Sequence, residues 1–97
     1  MIIKNTDIHN HLMMRMLQRG ITKEEIEIVL NQGWEVKDAK EGTLGRAFVF
    51  PHNQDWEGTL QEEKEVTVYY KIKGGRTILL TAIARYGKGF IRGGEKQ

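Results

Sequence analysis

Cysteine is absent from the 97-residue chain. That excludes a disulfide scaffold, a thiol nucleophile and any zinc site built on cysteine, and it fits a reducing compartment. Long apolar runs are also missing. None approaches the roughly 20 residues that cross a bilayer, and Met1-Ile2-Ile3 is too brief for the apolar core of a signal peptide. The expectation is a cytoplasmic protein with no membrane partner. Proline occurs once, at Pro51, and no repeat, low-complexity tract or linker interrupts the chain. What is present, 39% hydrophobic and 29% charged residues, has the balance of a globular domain rather than a disordered one. One domain over residues 1–97 follows, with a core that removes about two-thirds of the unfolded surface from water.

The net charge of +2 conceals a division. Residues 1–33 are balanced, residues 34–63 carry −4, and residues 64–97 carry +6. The basic third is a possible electrostatic footprint for a polyanion. Equally, it is a solvated sheet face with the acidic middle folded back on it.

Periodicity gives an α+β layout: two N-terminal helices packed on a four-stranded antiparallel sheet. Helices are expected over about 7–32. Thr6 or Asp7 caps the first helix, which runs to about Gln18 and exits through Gly20. Leu12, Met13, Met16 and Leu17 form its buried stripe. Thr22-Lys23-Glu24-Glu25 is a capping box opening the second helix, with Ile26, Val29 and Leu30 facing the core and Gly33 closing it as a left-handed residue. The sheet is expected over about 34–86. Strands are read at 34–38, at 46–50 where Pro51 ends it, at 65–72 and at 76–84, the last being apolar enough to lie centrally. Gly74-Gly75 is a two-residue hairpin turn. Residues 52–63 read as a long polar loop anchored by Trp56, and the glycine-rich residues 87–97 as a flexible tail.

The pattern His11-x-x-x-Arg15-x-x-x-Arg19-Gly20-Ile21-Thr22, followed by Glu25-Ile26 and Val29-Leu30-x-x-Gly33, resembles the N-terminal half of the bacterial domain of unknown function 4258 family. Val66-Thr67-Val68-Tyr69, the glycine turn and Ile78-Leu79-Leu80-Thr81 match the layout of its sheet more loosely, so the resemblance covers about residues 9–85. That family is similar in layout to the RelE and BrnT toxins of toxin–antitoxin systems. The resemblance implies a RelE/BrnT-like fold, an endoribonuclease that cleaves RNA by 2′-OH attack without metal or other cofactor, and a small antitoxin protein as partner. In place of the late arginine strand of the BrnT-like toxins stands Ala82-Ile83-Ala84-Arg85-Tyr86.

Such chemistry needs a base, an acid and cations for the charge that gathers on the phosphorane. Histidine suits proton transfer near neutral pH, and arginine suits phosphate. His11, Arg15 and Arg19, spaced by four, share one stripe of the first helix and with Arg85 form the expected catalytic set. Their plainer reading is a solvated flank whose stems cover the core. Tyr69, Lys71, Lys73, Arg76, Tyr86 and Lys88 combine charge with stacking platforms, as single-stranded RNA binding requires. Otherwise they are core and edge of a soluble sheet. His52, Asp55 and Glu57 lie within six residues of the long loop, where the sharper reading is a metal or acid/base cluster and the plainer one a solvated polar loop, and His9 lies near a helix start. A non-enzymatic RNA- or protein-binding module using the basic face is the alternative function. A homodimer built through the methionines of Met13-Met14-Arg15-Met16 is a third.

Overall fold

The computed structural model describes residues 3–56 and 58–93. Helix α1 spans Asn10–Arg19 and α2 Lys23–Gln32. Strands β1 (Trp34–Glu35), β2 (Leu44–Trp56), β3 (Thr59–Lys73) and β4 (Arg76–Gly87) follow. They form one antiparallel sheet in the order β1-β2-β3-β4, so the α+β layout read from periodicity is the fold observed. No helix among the described residues is long and apolar enough to cross a membrane.

The helix punctuation differs in instructive ways. Asp7 does not cap α1, because its carboxylate is engaged three residues back by the Lys4 N–H at 2.8 Å. His9 takes the cap, its Nδ1 accepting the Leu12 N–H at 3.2 Å. Gly20 does turn left-handed at φ 68° and returns its N–H to the Met16 carbonyl. The capping box of α2 is complete in both directions. Gly33, expected to be left-handed, is extended at φ −75°. Glycine is needed there for space, since a Cβ would lie 2.4 Å from the carbonyl oxygens of both Val29 and Ala47.

The strands correct the sequence reading at three places. The first spans only Trp34–Glu35, with one further bond from the Val36 N–H to the Gly45 carbonyl at 3.0 Å. The long loop is not a loop. Strands β2 and β3 continue outward as a hairpin past Pro51, with a register shift between Pro51 and Gln54, Asn53 at φ 50° and a turn at Gly58. Glu57 and the Trp56 side chain lie outside the described residues. Finally, β4 is an edge strand. Its apolar run reflects cover from α1, which packs on it, rather than a strand on either side. The Gly74-Gly75 turn has both φ values positive, 59° and 75°.

One face of the sheet carries the core. Leu12 and Met16 of α1 and Ile26, Val29 and Leu30 of α2 pack on Val66, Val68, Tyr70, Leu79 and Ala82. Met13 and Leu17, expected in that stripe, are exposed. The contact with the sheet takes only the i, i+4 pair Leu12 and Met16, and the other pair lies about 100° round the helix. The opposite face is covered in part by residues 88–93. Glu63 accepts the Phe90 N–H at 3.0 Å and pairs with Arg92 at 2.8 Å. Arg85 lies over the Phe90 ring at 5.1 Å, and Gly93 lies against Trp34. The first half of the expected flexible tail is therefore anchored; residues 94–97 lie outside the described residues.

Candidate active-site cleft

Alternation along β3 turns its even-numbered side chains toward the helices. Of the two charged members of that series, Glu62 is exposed and Lys64 is buried. An ammonium held out of water needs acceptors. Its Nζ donates to both Glu25 carboxylate oxygens, at 2.8 and 2.9 Å, and to the Gly20 carbonyl. The Glu25 that closes the α2 capping box thus also ties the α1–α2 turn to the middle of the sheet.

Tyr86 stands opposite Lys64 in the β3–β4 register and shares its face. Its ring centroid is 5.8 Å from the Lys64 ammonium, and its hydroxyl donates to the Arg19 carbonyl. His52 lies on β2 beyond Phe48 and Phe50, in the same alternation, with its ring centroid 5.1 Å from that of Tyr86. Arg19 is half-buried beside them and donates to the Ala82 carbonyl at 2.7 Å. The outer hairpin, with Gln54, Asp55 and Gln61, forms one wall and the end of α1 the other. Between them is a cleft of about 770 Å³. It brings together a histidine, a phenol and an ion-paired ammonium, and Arg19 is among its lining residues.

Of the expected catalytic set, only Arg19 lines this cleft. His11 is exposed at the far end of α1, about 12 Å of helix from Arg19, and stacks on His9 at 6.3 Å. Arg15 lies between them, half-buried. Arg85 projects from the other face of the sheet, since its neighbour Tyr86 points to the helices. There Glu65 pairs with it at 2.8 Å and raises the pKa of its guanidinium. These four side chains do not converge.

The expected RNA-binding set divides in the same manner. Tyr86 is in the cleft. Tyr69, Lys71, Lys73 and Arg76 share the opposite face toward the β3–β4 turn. The Tyr69 hydroxyl donates to Asp38 at 3.0 Å, and burial followed by that carboxylate pushes its pKa up. Lys88 follows the far end of β4, about 35 Å of strand from Arg76. His52 was hidden because a polar strand beyond a proline reads as loop. The alternation Phe48, Phe50, His52 was the signal that could have found it. Among the described residues, no cluster of three His, Asp or Glu side chains is placed to hold a metal ion.

No known family model, curated protein or solved structure matches the chain.

Proposed function

We propose that the protein is a metal-free endoribonuclease of the small-toxin type, acting on cytoplasmic RNA, with its chemistry in the cleft around His52 and Tyr86 rather than at His11. The observation that carries this reading is the His52–Tyr86 ring contact at 5.1 Å in an open cleft of about 770 Å³ that Arg19 also lines. The resemblance of residues 11–33 to the domain of unknown function 4258 family supports it, and an antitoxin partner belongs to the same proposal.

In this reading His52 takes the proton from the 2′-OH as the 2′-oxygen bonds to phosphorus. The bond from phosphorus to the 5′-oxygen breaks, and the Tyr86 O–H, turning from the Arg19 carbonyl to which it donates in the free protein, supplies the proton that oxygen needs. Arg19 has donors beyond the one given to Ala82, and these meet the charge on the phosphorane. Lys64, committed to Glu25 and Gly20, holds Tyr86 and the α1–α2 turn in place.

The test is incubation of the purified protein with mixed-sequence RNA in EDTA. Cleavage leaving 2′,3′-cyclic phosphate ends, lost in His52→Ala and retained in His11→Ala, is the expected result. Intact RNA from folded protein overturns the enzyme. The second reading, a non-enzymatic binding module, draws support from Lys71, Lys73 and Arg76, whose charges lie away from the cleft. It requires RNA that is bound, with steep salt dependence, but not cut.

A further inference from the structure

A second cavity, of about 400 Å³, lies on the face of the sheet turned away from the helices. A bulge opens it. The β3–β4 register jumps between Tyr69, opposite Thr81, and Tyr70, opposite Leu79, so Leu80 has no residue across from it. Bulges recur beside functional sites, where they re-aim a side chain, and here Leu80 and Thr81 form one wall of the cavity. The Tyr69 ring forms another. It leans over β2 because Gly45 has no side chain; a Cβ there would lie 3.0 Å from two of the ring carbons. The β1–β2 loop closes the third side with Asp38, Lys40 and Thr43. Thr43 fixes the turn of that loop, donating to the Lys40 carbonyl from its N–H at 2.9 Å and from its hydroxyl at 2.6 Å.

The polar groups at the rim select the occupant. Asp38 is exposed, yet its carboxylate is held in place, with the Tyr69 hydroxyl 3.0 and 3.1 Å from its two oxygens. One hydroxyl proton shared between two oxygens leaves both able to accept again. Lys40, two residues on, makes no ion pair among the described residues, so its ammonium is free to donate. Two fixed acceptors beside a donor match guanine. It alone of the four bases presents two adjacent N–H donors, N1–H and N2–H, next to a carbonyl oxygen. Adenine and cytosine offer one amino group on that edge, and uracil a single N–H between two carbonyls. Tyr69 and Leu80 give a flat ring its apolar contacts, as recognition of an unstacked base requires. A phosphate is repelled by Asp38 and meets Lys71 and the Lys73–Arg76 pair, which follow Tyr69 on the same face.

We propose that this cavity binds a guanine nucleotide, its N1–H and N2–H on Asp38, its O6 on Lys40, its ring against Tyr69 and its phosphate toward Lys71, Lys73 and Arg76. A strand of RNA and a free nucleotide share this chemistry. The RNA source rests on the function proposed above, but guanine selectivity at this site requires no cleavage.

The probes are fluorescent 2′-O-methyl oligonucleotides of about seven residues, uridine throughout except for a central G, A, C or U. They cannot be cut by 2′-OH attack. Anisotropy titrations with the full chain are expected to give at least about fivefold tighter binding of the G probe than of any other, as a bidentate base contact provides. Asp38→Asn keeps an oxygen for the Tyr69 hydroxyl and loses one acceptor for the base. It should bring the G probe to within about twofold of the others, at an unchanged melting temperature. Lys40→Ala should lower the G preference in the same direction. Equal binding of the four probes, binding of none, or a G preference that survives both substitutions overturns the proposal. GMP that displaces the G probe as effectively as the unlabelled strand assigns the site to a free nucleotide, and weaker displacement assigns it to RNA; both bear the proposal out. AMP that displaces it as well as GMP does overturns it. RNA cleavage without G-selective binding overturns this proposal alone, whereas G-selective binding with intact RNA overturns only the ribonuclease.

Discussion

Glu25 serves two structures at once, and the consequence can be measured. Its carboxylate closes the α2 cap by accepting the Thr22 N–H at 2.9 Å and neutralises Lys64, whose side chain is 7% exposed against 19% for Glu25. Removing one member of a buried pair strands the other, whereas replacing both removes the problem. Lys64→Met is expected to destabilise the fold by about 2–4 kcal/mol in urea denaturation, with Glu25→Gln/Lys64→Met less destabilised than the single variant. Half of this was legible in the sequence. The capping box is a four-residue pattern and could be read directly, but Lys64 is 39 residues from Glu25, and no local rule links them. Glu63 gives a second residue-level prediction. The Arg92 ion pair and the Phe90 N–H hold its carboxyl below the ordinary 4.5. A depressed carboxylate contributes stability above the unfolded value, and the contribution is lost as pH falls through the folded one. Residues 88–93 should therefore detach below pH 4.5, with the protection of the Phe90 amide relative to its intrinsic exchange rate falling as the pH drops. Glu63→Gln should show little protection there at neutral pH and no further loss on acidification.

Among the elements, α2 and the β3–β4 hairpin were readable because their signals are local: a capping box, an i, i+3, i+4 core face and a Gly-Gly turn. The outer β2–β3 hairpin was not, because its strands bury little and therefore lack the alternation that burial imposes. Position in the sheet was also beyond local reading. An apolar strand looks the same whether strands flank it on both sides or a helix covers it, and β4 is the second case. The close passage of α2 over β2 supplies the element-scale test. Gly33→Ala would drive a methyl into the Val29 and Ala47 carbonyls, and neither oxygen can withdraw without breaking helix or strand. A loss of at least about 2 kcal/mol is expected by thermal or urea unfolding. Gly42, at φ 83° with nothing near its absent Cβ, is the control in which only the left-handed backbone opposes alanine, at about 1 kcal/mol. Equal costs at the two positions would show that crowding at Gly33 is relieved by a small shift of α2.

At the scale of the whole molecule the charge asymmetry changes meaning once the chain is folded. The +6 of residues 64–97 suggested one basic surface, yet the sheet sorts those cations by alternation and register. Lys64 goes to the helix face and to Glu25. Arg85 and Arg92 lie on the opposite face against Glu65 and Glu63. Lys71, Lys73 and Arg76 gather by the β3–β4 turn, where they make no ion pair among the described residues. Composition could report the excess but not this sorting, which depends on residues far apart in the chain. If RNA is bound, these three should carry the phosphate contacts and Arg85 should carry few, because its charge is already matched. Neutralising Lys71, Lys73 and Arg76 together to glutamine should lower the salt slope of RNA binding by about 2, at roughly 0.7 per phosphate contact on a single strand. Affinity at moderate salt should fall accordingly, while the rate of cleavage at saturating RNA stays the same, since the cleft lies on the other face of the sheet. Arg85→Gln should leave the slope nearly unchanged. A slope that falls with Arg85→Gln but not with the triple variant would place the RNA across the Glu63–Glu65 end of the sheet. The two arginines there would then have to exchange their carboxylates for phosphates on binding.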